Sequence, residues 1–135
     1  MSKISINKTV SYNGGFDAAI QATTVALQEN GFGILTQIDV HSTLKKKLDV
    51  EYPRTLILGA CNPKLAHRAL TANPDVAVLL PCNVVVRETT SGQVEISAMD
   101  PAVLTELMDN PEIEAVADEV GVLIENTLNQ LSNGS

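Results

Sequence analysis

Tryptophan is absent from this chain of 135 residues, and Phe and Tyr contribute two residues each, so aromatics amount to 3% against 44% for hydrophobic residues as a whole. A core has therefore to be built from Ile, Leu, Val and Ala. At this length one such core is expected, burying roughly two thirds of the surface of the unfolded chain. The lack of aromatic platforms, with a net charge of -7, also excludes an ordinary nucleic-acid binder, which stacks bases on rings and neutralises phosphates with excess Lys and Arg. Cations are missing altogether after Arg87: nine Lys and Arg stand with six acids up to that point, and ten acids stand alone from Glu88 onward. The simpler reading is a solvated acidic face on the last helices. The sharper one is a contact between the basic front of one subunit and the acidic back of its neighbour.

Other absences narrow the chemistry. No stretch approaches the roughly eighteen apolar residues of a membrane-spanning helix, and Met1-Ser2-Lys3-Ile4-Ser5-Ile6 lacks the apolar run and small-residue cleavage site of a signal peptide. The expectation is a cytoplasmic protein with no membrane partner, in which the two cysteines are reduced rather than paired. Cys61, Cys82, His41 and His67 match a zinc site in number but not in spacing, so no metal is expected. No nucleophile elbow is present. Asn13-Gly14-Gly15, ahead of a helix, is the nearest approach to an anion-binding glycine loop, and a simple turn explains it as well.

What is present reads as alternating strands and helices. Ile4, Ile6 and Val10 alternate with polar residues, predicting a first strand over 3–10. Phe16, Ala19, Ile20, Thr23 and Leu27 line one face of a helix that Gly31 ends. Phe32 to Asp39 is a second strand. Ser42 is placed to cap a short helix, Thr43 to Leu48, with Leu44 and Leu48 inward and Lys45, Lys46 and Lys47 outward. Thr55 to Gly59 is apolar enough for a central strand buried on both faces. Leu65, Ala66, Ala69 and Leu70 form the inner stripe of a helix opened by Asn62-Pro63. Val76 to Leu80 and Asn83 to Glu88 read as a strand interrupted at Pro81, followed through Thr90-Ser91-Gly92 by a hairpin partner, Val94 to Met99. Asp100-Pro101 and Asn110-Pro111 open two more helices. The pattern is α+β: one two-layer domain over 2–131 with a mixed five-stranded sheet packed against helices, and a loose tail over 132–135.

The stretch Tyr52 to Glu88 carries both cysteines, as Ala60-Cys61-Asn62-Pro63 and Pro81-Cys82-Asn83. Cys61 precedes a helix start, where free amides and the dipole favour a thiolate. A free cysteine is equally at home as a small buried hydrophobe. With Gly31-Phe32-Gly33, Ile38-Asp39-Val40, Leu65-Ala66 and Asp100-Pro101, these motifs resemble the bacterial and archaeal family of domains of unknown function numbered 302, over about Ile4 to Leu131. The resemblance implies a small α+β domain that tends to dimerise, with no established activity, substrate or cofactor. The residues to suspect are Cys61, Asn62, Pro63, Pro81, Cys82 and Asn83. Three readings stand open: a homodimeric module binding a small molecule near the two motifs, a thiol-dependent redox or sulfur-transfer protein acting through Cys61, and a purely structural role for both motifs. The homodimer is expected because the strand at Pro81 and that at Val94 to Met99 must leave a sheet edge with few charges to guard it.

Overall fold

The computed structural model describes residues 5–133. The order of elements is β1 (Asn7–Tyr12), α1 (Phe16–Glu29), β2 (Gly33–Asp39), α2 (Val40–Leu48), β3 (Thr55–Cys61), α3 (Pro63–Ala72), a 3-10 helix (Pro74–Leu79), β4 (Cys82–Glu88), β5 (Val94–Met99), α4 (Ala102–Leu107) and α5 (Pro111–Asn133). The first strand lies later than its alternation suggested, and Lys3 and Ile4 fall outside the described residues. Helix α5 runs through Ser132 to Asn133, two residues into the stretch read as a tail; the other two residues of that stretch lie outside the description.

The five strands form one sheet in the order β1-β5-β4-β3-β2, and every pairing is antiparallel rather than mixed. The helical connections explain this. A helix produces a parallel crossover when it returns the chain to the end of the sheet where the first strand began. Between β3 and β4 the chain instead goes out along α3 and back through the 3-10 helix, so that Cys82 pairs beside Ala60 at the end where β3 stopped.

Alternation along the strands sends Leu56, Leu58, Val84, Val86, Ile96 and Ala98 into the core, where α1 and α5 cover them. Helix α5 also packs on α3 and α4, and its buried residues Ile113, Val116, Val120, Ile124, Leu128 and Leu131 recur at the three-four spacing of one helix face. The opposite face is only partly covered. Ile57 and Val85 are half-buried, and Ile38, which pairs with Ile57, is 50% exposed. β3 is thus buried fully on one face, not two.

Asn62 caps α3 as expected, its Oδ1 accepting from the Leu65 N–H at 3.1 Å. Asn110 does the same for α5, accepting from the N–H groups of Glu112 and Ile113 at 2.9 and 3.2 Å. Gly31, at φ 89°, ends α1, and Gly92, at φ 84°, turns the β4–β5 hairpin. Four expectations fail. The cap of α2 is Asp39, whose Oδ1 accepts from the Ser42 N–H at 3.0 Å, so the helix starts earlier and Ser42 lies inside it. Leu48, expected inward, is 65% exposed, and no residue of α2 is buried. Leu70 is likewise exposed. Val76 to Leu79 belongs to the 3-10 helix, which Asn73 starts by accepting from the Asp75 N–H. Pro81 therefore precedes β4 and interrupts nothing, and both β4 and β5 are interior strands. The free edges are β1 and β2.

The basic and acidic parts of the sequence meet within the chain. Arg68 on α3 reaches Glu112 and Glu119 on α5 at 2.7 and 2.6 Å, and Arg54 holds Glu88 through two parallel bonds of 2.9 and 3.1 Å.

Candidate functional site

β3 ends at Cys61 and β4 begins at Cys82, and the register that pairs Ala60 with Cys82 makes the two cysteines diagonal neighbours across adjacent strands. Both line one cavity of about 30 Å³. Its remaining wall is supplied by α3 through Leu65, Ala66 and Ala69, by the Leu80-Pro81 turn, by Phe32 ahead of β2, and by Leu104, Val116 and Val120 of the last helices. Asn62 is the single polar side chain of the wall apart from the thiols, and both ends of its amide are engaged. Its Oδ1 caps α3, and its Nδ2 donates to the Gly31 carbonyl at 3.1 Å.

The surroundings act on the thiols in one direction. Burial pushes the Cys61 thiol up. Burial, then the neighbouring Cys61, pushes the Cys82 thiol up to about 11. The direction at Cys61 is thus opposite to that of a thiolate stabilised by a helix start. Cys61 is half-buried and Cys82 buried.

Of the six suspected residues, four line this cavity: Cys61, Asn62, Pro81 and Cys82. Pro63 does not; it is exposed at the start of α3. Asn83 does not either, because alternation along β4 turns it away from Cys82 to the open face of the sheet. Pro81 and Thr36 also crowd Gly59: a Cβ there would lie 2.9 Å from Pro81 Cγ and against Thr36 Oγ1.

A second cluster was not legible in the sequence. His41, read as a loop residue, opens α2, and its Nδ1 lies 2.9 Å from the Thr55 N–H nitrogen and 3.0 Å from Asp39 Oδ1. The ring stands edge-on to Phe16, over which Arg54 is placed 4.6 Å from the ring centre. These residues line a cleft with Asp17, Ile20, Gln37 and Leu56. The signal available was Asp39, three residues before Ser42, as good a cap as serine and one that opens a longer helix. Arg54 is held by Glu88, and Glu88 in turn has its carboxyl lowered, first by its bond to Arg54. The cluster reads as a clamp joining α1, α2 and β3.

The model of the family described as "Domain of unknown function DUF302" matches residues 6–131. The chain belongs to the DUF302 family. The crystal structure of uncharacterized conserved protein DUF302 from Bacillus stearothermophilus is similar to it, with a TM-score of 0.87 and 28% sequence identity over 95% of this chain and 99% of that one. None of the curated proteins matches the chain. A DUF302 domain is thus a shared α+β fold without an assigned chemistry. Among the described residues no helix is long and apolar enough to cross a membrane.

Proposed function

We propose that this DUF302 domain is a homodimeric module that binds a small ligand in the cavity between Cys61 and Cys82. The observation that carries the reading is that two cysteines separated by twenty residues in the sequence line the same apolar cavity. That cavity, lined by two cysteines and one engaged amide among apolar side chains, suits something small. Its volume of about 30 Å³ is that of one or two water-sized probes, so the ligand is an ion or a very small molecule unless the Leu80-Pro81 turn moves away from α3.

Binding is preferred to thiol catalysis for a physical reason. A nucleophilic cysteine needs its thiolate stabilised, whereas burial acts against the thiolate at both Cys61 and Cys82. The structural reading applies to Asn62, whose two bonds tie α3 to the end of α1.

The test is thermal melting with a panel of small molecules and ions, run on the parent and on Ala66→Leu, which fills the cavity and leaves both thiols in place. A ligand at a hundred times its Kd adds about 2.7 kcal/mol. A shift seen with the parent and lost in Ala66→Leu is expected. A panel without a single shift, or a shift that survives the filling, removes the reading.

A further inference from the structure

We infer that the cleft beside His41 is a second binding site, for a small zwitterion of the α-amino-acid kind with an aliphatic side chain. It shares no lining residue with the Cys61 cavity and does not rest on the reading of that cavity. The cleft measures about 390 Å³, within the range of small-molecule sites. Its floor is apolar: Phe16 and Leu56 are buried and Ile20 is half-buried. The rest of its lining is polar and carries both signs of charge, in Arg54, Asp17 and Asp39.

The bonds that hold this cluster together leave hydrogen-bonding capacity unspent. An N–H only donates, so the Thr55 N–H at 2.9 Å makes His41 Nδ1 the acceptor and leaves the proton of the neutral ring on Nε2. Among the described residues Nε2 has no partner. Arg54 gives Nε and Nη2 to Glu88, while its Nη1 lies 4.0 Å from Asp17, beyond hydrogen-bond reach. The amide of Gln37, exposed on the edge strand β2, makes no bond among the described residues either.

The acceptor side points to a cation. Asp39 Oδ1 stands 3.0 Å from His41 Nδ1, and because Nδ1 already accepts from Thr55, two lone pairs face each other there. The Ser42 N–H shares Oδ1 but brings no net charge. An ammonium group beside Asp39 relieves the contact. A simple cation, however, meets Arg54, and a simple anion meets Asp17 and Asp39. A zwitterion satisfies both sets: its ammonium takes Asp39 and its carboxylate takes His41 Nε2 and Arg54 Nη1, through charge-assisted bonds. These two donors stand on one ring, the His41 ring centre 6.0 Å and the Arg54 guanidinium carbon 4.6 Å from the centre of Phe16. An aliphatic side chain then covers Ile20. Thr55 already holds His41, and Glu88 already holds Arg54, so little ordering is lost on binding.

The experiment is an NMR titration of the isotope-labelled full chain at pH 7 with L-leucine, and with isoamylamine and isocaproate, which lack its carboxylate and its ammonium in turn. Leucine is expected to shift the side-chain signals of Gln37 and Arg54 saturably. Each analogue should bind about tenfold or more weakly, the worth of one hydrogen bond to a charged group. Asp39→Asn keeps the cap of α2 and removes the charge that faces the ammonium, so its affinity for leucine should fall by about tenfold or more at an unchanged melting temperature. If that variant does not fold, the analogues decide the question on the unaltered protein. Ala66→Leu, which fills the other cavity, should bind leucine as the parent does. No saturable shift at the cleft, an analogue as tight as leucine, undiminished affinity in Asp39→Asn, or loss of binding in Ala66→Leu each overturns the inference. The last outcome would move leucine to the Cys61 cavity; the others leave the reading of that cavity where it stood.

Discussion

A single side chain, Asn62, shows what one residue contributes here and how far its role can be read in advance. Its cap was legible because Asn-Pro followed by Leu and Ala at helical spacing leaves free N–H groups that only this side chain is placed to meet. Its second bond, from Nδ2 to the Gly31 carbonyl, was not, since thirty-one residues separate the partners. Asn62→Ala is expected to lower stability by roughly 1 kcal/mol through the cap, with a further loss from the Gly31 bond. Asn62→Ser keeps a capping oxygen and loses the donor to Gly31, so it should fall between the two in chemical denaturation. Equal midpoints for Asn62→Ala and the parent would exclude the capping role. The same limit applied to the thiols. Twenty intervening residues with no close motif gave no sign that Cys61 and Cys82 adjoin; only the β3–β4 register brings them together.

Among whole elements, the strands and long helices with regular periodicity were readable, and the errors fell on short elements whose ends are decided by competing caps. Val76 to Leu79 has the composition of a strand, yet Asn73 accepting from the Asp75 N–H starts a 3-10 helix there, because a local side-chain bond is available before any sheet partner is. At α2, Asp39 outcompetes Ser42 as the cap. Its carboxyl is held below the usual carboxylate range, first by the backbone N–H of Ser42. A carboxyl lowered in the folded state contributes stability above its unfolded pKa, and loses it as the pH falls through the folded one. The contribution of Asp39 is therefore complete above about pH 5 and fades below about pH 4. Solvent exposure keeps it small. Asn is as good a cap as Asp but does not titrate. Asp39→Asn should then match the parent at pH 7 and lose less stability on acidification, a difference read from urea midpoints at pH 7 and pH 3. Parallel acid limbs would show that the Asp39 charge is not involved.

At the scale of the molecule, the question is what becomes of the exposed backbone at the edges of the sheet. The sequence placed the vulnerable edge at Pro81 or at Val94 to Met99, because composition cannot reveal strand order; both segments turn out to be interior. Of the true edges, β1 carries Lys8 and packs against α5. β2 contains no Lys, Arg or Pro from Gly33 to Asp39 and leaves Leu35 65% and Ile38 50% exposed. A bulge between Ile34 and Thr36 guards its first half, as bulges do at edges. The second half, Thr36 to Asp39, remains open, and beside it Ile38 continues into the half-buried Ile57 and Val85 on the uncovered face. An antiparallel contact between two copies of β2 would be two-fold symmetric and would cover backbone and apolar row together. Light scattering is expected to give a mass near twice 14.4 kDa. In Ile38→Lys, which sets a charge on the edge without touching the core, the mass should drop to that of one chain while the melting curve stays cooperative. A mass of one chain at every concentration of the parent would rule out the dimer. An Ile38→Lys protein that stays dimeric would place the interface elsewhere than β2.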